Sequence, residues 1–206
     1  MEDKLKSFIP RRRVMLSFLF GLFFILMVYP PSMLFLVIGL ELAIFGEAIR
    51  TWAAGYLRKG ELLAVTGPYA YVRHPLYVGS FLIGCGFCIA VQSLNFFIMF
   101  LVLFGFIYRY TVSSEEKELA EKFGVEFVSY KESVPRFFPA MTPYRTNVMS
   151  SFSWKLVLDN NEYRTWVGIL IISAVLVIRL LGINLGMKFL GMGQEITFLG
   201  IRLYLI

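Results

Sequence analysis

Apolar runs separated by short polar breaks fill most of this chain. Val14 to Tyr29 is the first run and Met33 to Ala54 the second, and Pro30-Pro31 between them makes the turn of a tight helical hairpin. The apolar stretch from Leu76 to Tyr110 breaks at Gln92-Ser93-Leu94-Asn95, which gives a second hairpin of about two 16-residue spans, short for a bilayer but tolerable. A fifth run covers Thr165 to Leu181. Since a spanning helix takes about 20 apolar residues, the pattern predicts an all-α, polytopic transmembrane bundle of about five spans. It forms one domain over residues 1–206, with no separate soluble part. Composition agrees: 58% of the 206 residues are hydrophobic and only 17% charged, with a mean hydropathy of +0.70.

Polar positions then orient the bundle. Val112 to Tyr130 alternates Glu115, Glu116, Glu118, Glu121 and Lys122 with Leu119, Phe123 and Phe127 at helical spacing, which predicts an amphipathic helix lying against the membrane face. Both hairpins are basic at their outer ends, through Arg50, Arg58, Lys59, Arg73, Arg109, Lys117 and Lys122, and uncharged at their tips. The positive-inside rule therefore puts the N-terminus, the loop from Leu57 to Arg73 and the segment from Thr111 to Asn161 in the cytoplasm. Lys4, Lys6 and Arg11 to Arg13 before the first run resemble the start of a signal peptide, yet no small-residue cleavage site follows, so the run reads as an uncleaved span. The net charge of +6 is explained by these loop ends and not by a nucleic-acid surface. Gly182 to Ile206 mixes glycines and charges with apolar residues and fits either an interfacial helix or an irregular segment.

Chemistry concentrates in one loop, Thr66 to Gly79. It holds the only histidine of the chain, His74, beside Arg73, three tyrosines and two prolines, and Pro75 suits the first turn of the following helix. The free amides of that turn, with Arg73 beside them, favour an anionic ligand group, or else the loop is an interfacial Tyr/Arg anchor. Glu115-Glu116, with Arg109 just before, is a second polar cluster: it either stabilises a helix start or meets a cationic ligand group. Within the second span, Glu41 lies about 15 Å deep and should face the bundle, while Glu47 and Arg50 read as an interfacial pair. Cys85 and Cys88 have no second pair or histidine cluster nearby to complete a zinc site and read as small packing residues, so no metal is expected.

Gly67-Pro68-Tyr69, then Arg73-His74-Pro75-Leu76-Tyr77-Val78-Gly79, and after the hairpin Glu115-Glu116-x-x-Leu119, Phe123-Gly124, Tyr130 and Val134-Pro135 resemble the C-terminal core of the isoprenylcysteine carboxyl methyltransferases. Phospholipid methyltransferases share a similar pattern. The resemblance covers about residues 60–139 and leaves 140–206, with the fifth span, as an extension. It implies an integral membrane enzyme that binds S-adenosylmethionine on the cytosolic side and methylates a lipid or prenylated acceptor. It also implies that Leu62, Leu63 and Ala64 (through backbone), Tyr69, His74, Pro75, Leu76, Tyr77 and Glu115 contact the cofactor.

The resemblance departs at Thr111, where a substrate-side arginine would stand four residues before Glu115; Arg109 is the nearest arginine and the candidate for orienting the substrate. A phospholipid amine acceptor thus stays open beside a prenylcysteine carboxylate. An ammonium acceptor would need a base, for which His74 or Glu116 are the candidates. Two further readings remain: an NADPH-dependent sterol-reductase-like enzyme, whose approach to the glutamate is Arg-Asp-rich where this chain has Ser113-Ser114, and a non-catalytic lipid-binding bundle, which no internal repeat supports.

Overall fold

The computed structural model describes residues 31–181 and the backbone of 195–198 and 201–204; the first span, Val14 to Tyr29, and the basic N-terminus lie outside the described residues. Helix α1 (Met33–Ala54) starts after Pro31-Ser32, its first turn closed by the Leu36 amide donating to the Ser32 carbonyl at 3.0 Å. A 3-10 turn (Gly67–Ala70) precedes α2 (Pro75–Val91), which Pro75 opens from a position where its missing N–H costs nothing. Gln92 ends α2 in the left-handed conformation, and the Ser93 hydroxyl accepts from the Phe96 amide at the head of α3 (Leu94–Ser133). With two residues for a link, α3 returns along α2: Phe81 meets Phe100 and Phe104, and Tyr77 meets Tyr108. The short α4 (Trp154–Asp159) and α5 (Tyr163–Leu180) follow.

Strand β1 (Glu195–Phe198) pairs antiparallel with β2 (Ile201–Tyr204), Glu195 opposite Tyr204. Every other described element is helical, as expected of an all-α bundle, while this part of the tail is thus neither an interfacial helix nor an irregular segment. Its β-branched and aromatic residues, split by Gly200, favour a hairpin.

Four of the five expected spans fall among the described residues, and two of them, α3 and α5, are long and apolar enough to cross a membrane. Helix α1 has the length but carries Glu41, Glu47 and Arg50, and α2 stops at 17 residues. Only 17% and 6% of the most apolar stretches of α3 and α5 are buried, which excludes core helices of a soluble domain. Val102, Leu170 and Ile171 point outward where lipid, not water, can cover them. This is the surface of a membrane protein.

Helices α1 and α2 pack through small residues. A Cβ on Gly46 would come 2.6 Å from the Gly79 carbonyl oxygen, and a Cβ on Gly79 would come 2.5 Å from the Gly46 carbonyl oxygen. Such close backbone approach is how helices gain dispersion energy when lipid removes the hydrophobic drive between them. The face used, Gly39, Ala43 and Gly46, fixes the others: Glu41, about 200° round the helix from Gly39, is exposed and does not face the other described helices. Leu176 of α5 is fully buried against Leu36, Ala43 and Phe87, so the fifth run joins the same core.

The segment Val112 to Tyr130 is not a separate helix. It continues α3 without a break as far as Gly124, whose φ of 51° interrupts the helical backbone. No proline or glycine stands between Tyr110 and Gly124 to stop it. Nor is its apolar stripe free to lie on a membrane: Leu119, Phe123, Phe127 and Tyr130 pack on Leu63, Val65, Val134 and Tyr144.

Candidate functional site

Leaving α3, the chain runs back beside the loop that precedes α2. The Arg73 amide donates to the Pro135 carbonyl at 2.9 Å, and the amides of Ala140 and Tyr144 donate to the carbonyls of Tyr71 and Ala70, each at 2.8 Å. Arg73 Nε adds a bond to the Val134 carbonyl at 2.8 Å. The Tyr130 hydroxyl donates to the Tyr69 carbonyl at 2.7 Å. The 3-10 turn and the loop after it are thereby held by the last turn of α3 and by the chain that leaves it.

This framing delivers Arg136 to Glu116, the hub of the site. Glu116 is buried, and its carboxylate accepts from Arg73 Nη1 at 2.6 Å, Arg136 Nη2 at 2.6 Å and Arg136 Nε at 3.0 Å, with His74 Nε2 at 3.3 Å. Burial pushes the carboxyl pKa up, but the hydrogen bonds from His74 and Arg136 and the charges of Arg73 and Arg136 outweigh it and hold the group at about 2. Such a carboxylate is a poor base. Between the two basic candidates for an ammonium acceptor, the geometry leaves His74.

Glu115, one residue earlier and half-buried, turns the other way. Its Oε1 accepts from the Tyr77 hydroxyl at 2.8 Å, and its Oε2 lies 3.9 Å from His74 Nδ1. His74 is buried between the two glutamates, and Pro75 beneath it is fully buried. The Tyr69 hydroxyl is buried with no hydrogen-bond partner among the described residues, as are the Tyr108 hydroxyl and the Thr111 Oγ1. Desolvation, then nearby Tyr130 and Glu115, pushes the Tyr69 hydroxyl pKa up and keeps it a neutral donor and acceptor. A buried hydroxyl without a partner costs about 1–3 kcal/mol, a cost that a ligand with polar atoms would offset.

The other expected contacts are spread more widely. Leu62 is half-exposed, and Leu63 faces the apolar cluster under the loop, not the polar groups. Arg109 is exposed and lines, with Tyr108, Val112, Ser113 and Arg136, a cavity of about 270 Å³. The sequence alone did not point to Arg136; its neighbour in the chain, Val134-Pro135, was the only signal. Among the described residues no group of three or more His, Cys, Asp or Glu side chains could hold a metal ion.

Part of this helical core, with its Arg-His-Pro turn facing paired glutamates, is similar to known proteins. Residues 34–126, which run from the second residue of α1 through α2 to just past Gly124 in α3, match the phospholipid methyltransferase family. Over 111 residues the chain is 35% identical to the cobalt-zinc-cadmium resistance protein CzcN of Cupriavidus metallidurans, covering 53% of this chain and 50% of that protein. It is 33% identical over 112 residues to the nickel-cobalt-cadmium resistance protein NccN of Alcaligenes xylosoxydans, covering 53% and 51%. Over 94 residues it is 32% identical to the protein-S-isoprenylcysteine O-methyltransferase of Schizosaccharomyces pombe, covering 46% and 40%. The chain thus spans about half the length of the curated relatives it matches. No solved structure matches it.

Proposed function

We propose that this chain transfers a methyl group from S-adenosylmethionine to an amphiphilic acceptor at the cytosolic face of a membrane, in the manner of the isoprenylcysteine carboxyl methyltransferases. The observation that carries the reading is the convergence, within the family-matched stretch, of the Tyr77-bound Glu115, buried His74 and the Tyr69 hydroxyl, which has no hydrogen-bond partner among the described residues. These groups fit the polar end of the donor: a carboxylate for a cationic group and a hydroxyl that gives or takes a hydrogen bond. Tyr69, the turn from His74 through Pro75 and Leu76 to Tyr77, and Glu115 would hold it, with the backbone of Leu62 to Ala64 alongside. When bound, it supplies a methyl already activated on a sulfonium.

The protein's own task is then to exclude water and to align the acceptor. Phe81, Phe100, Phe104 and Phe137 form an aromatic file that ends at Tyr108, beside the cavity of Arg109 and Arg136. The file suits an apolar tail and the arginines an acidic head. A carboxylate or thiolate acceptor needs no base; an ammonium would first give its proton to His74.

Arg109→Ala is expected to raise the acceptor KM several-fold while leaving donor affinity nearly unchanged, since it removes ground-state binding of one substrate only. Thr111→Arg should improve turnover of a prenylcysteine carboxylate. Methyl transfer to prenylcysteine and to phospholipid amines, measured with labelled donor, checks both. If Arg109→Ala affects no acceptor, Arg109 is an interfacial anchor and the phospholipid amine is the better acceptor.

The orientation rests on charge asymmetry across the hairpin of α2 and α3. In a background lacking Cys85 and Cys88, Asn95→Cys should react with an impermeant thiol reagent in intact cells, and Ser129→Cys should stay protected. The reverse labelling would put the site on the other face.

A further inference from the structure

Away from Glu116, the most heavily bonded polar group among the described residues is Arg50, near the end of α1. Its Nε donates to Glu162 Oε1 at 2.6 Å, its Nη2 reaches Thr165 Oγ1 at 3.3 Å, and its Nη1 donates to the Leu76 carbonyl at 3.1 Å and to the Ser80 hydroxyl. Glu162 is buried and lies beyond the family-matched residues, at the head of α5. Asn160, two residues before it, donates to the carbonyls of Ala54 and Leu57 at 3.0 and 2.8 Å. Trp166 Nε1 donates to Thr51 Oγ1 at 3.0 Å. The head of α5 is therefore fixed to α1 by several bonds, and the charge it brings lands on a side chain that also grips the first turn of α2. Tyr77, next in the chain to Leu76, carries the hydroxyl bonded to Glu115.

We propose that Glu162 is a positioning residue for the methyl-donor site, acting through Arg50 on the Leu76 carbonyl and Ser80; this rests on the donor site proposed above. The geometry supplies a competitor that makes the role testable. Glu47, one turn before Arg50 on α1, has its Oε2 3.8 Å from Arg50 Nε, buried and without a hydrogen-bond partner among the described residues. Its other oxygen accepts from Thr51 at 3.3 Å. With Glu162 charged, Arg50 is drawn toward α5 and across to α2. Without that charge, Glu47 draws it back along α1 and away from Leu76.

Glu162→Gln keeps an acceptor oxygen and the size of the side chain but removes the charge. In ligand-free protein it should speed amide hydrogen exchange over residues 76–80 at least tenfold, and it should weaken S-adenosylhomocysteine binding about tenfold by titration. Adding Glu47→Gln removes the competitor and should restore both readouts to within about twofold of wild type. Two acidic residues with merely structural roles would instead give a double variant worse than either single one. Unchanged exchange in Glu162→Gln, or a double variant no better than the single, overturns the proposal. Wild-type protein that ignores S-adenosylhomocysteine would sink the proposed function, while the exchange measurement still decides the positioning role.

Discussion

Glu116→Gln is expected to be the most destabilising single change in the site. The carboxylate is buried and accepts from Arg73, Arg136 and His74, so its loss strands two guanidinium groups around a neutral amide. Breaking a buried ionic cluster by removing one partner costs about 3–5 kcal/mol. The pKa of about 2, against an ordinary value of 4.5, corresponds to a contribution on the order of 3 kcal/mol. The sign follows from a depressed acid. The ionised group stabilises the fold fully above about pH 4.5, and the contribution fades as pH falls toward 2. Denaturation in detergent should therefore separate wild type from Glu116→Gln widely at pH 7, and the gap should narrow steadily below pH 4.5. A constant gap across that range would mean that the charge of Glu116 contributes nothing to the fold.

Glu115→Ala should do the opposite: spare the fold and damage ligand binding. Its side chain is 39% exposed, so solvent competition holds the hydrogen bond that it accepts from the Tyr77 hydroxyl to about 0.5–1.5 kcal/mol of stability. A charge-assisted bond to a cationic ligand group is stronger, about 1.5–3 kcal/mol. Titration with S-adenosylhomocysteine should show a loss of about 10- to 100-fold for Glu115→Ala and none for Glu118→Ala, whose side chain is exposed two turns short of the Gly124 kink. Equal binding by both variants would reduce Glu115 to a support for Tyr77.

These two neighbours show where the sequence was readable. Local signals were enough to place the turn at Gln92 and the start of α2 at Pro75, because each depends on residue types a few positions apart, whereas the meeting of the His74 to Tyr77 turn with glutamates 38 and 42 positions away was legible only through the family resemblance. Which glutamate does what depends on Arg136, brought in by backbone bonds between Arg73 and Pro135 that no spacing rule announces. The pairing of Glu47 with Arg50 was visible at helical spacing, yet the short ion pair goes to Glu162, 112 positions away. Helix continuity was likewise hidden. A change from apolar to charged residues at Val112 suggests a new element, but hydrogen bonding of the backbone continues wherever no residue stops it. Glu41 failed for a simpler reason: its depth follows from its position in the chain, whereas its direction follows from which face holds the glycines.

The central claim is that the polar groups gathered around His74 and Glu115 receive a methyl donor. Calorimetric titration of the detergent-purified chain with S-adenosylhomocysteine and, separately, with NADPH tests it most directly. Saturable binding of S-adenosylhomocysteine with little response to NADPH is the expected result. Tight binding of NADPH with no response to S-adenosylhomocysteine would contradict it.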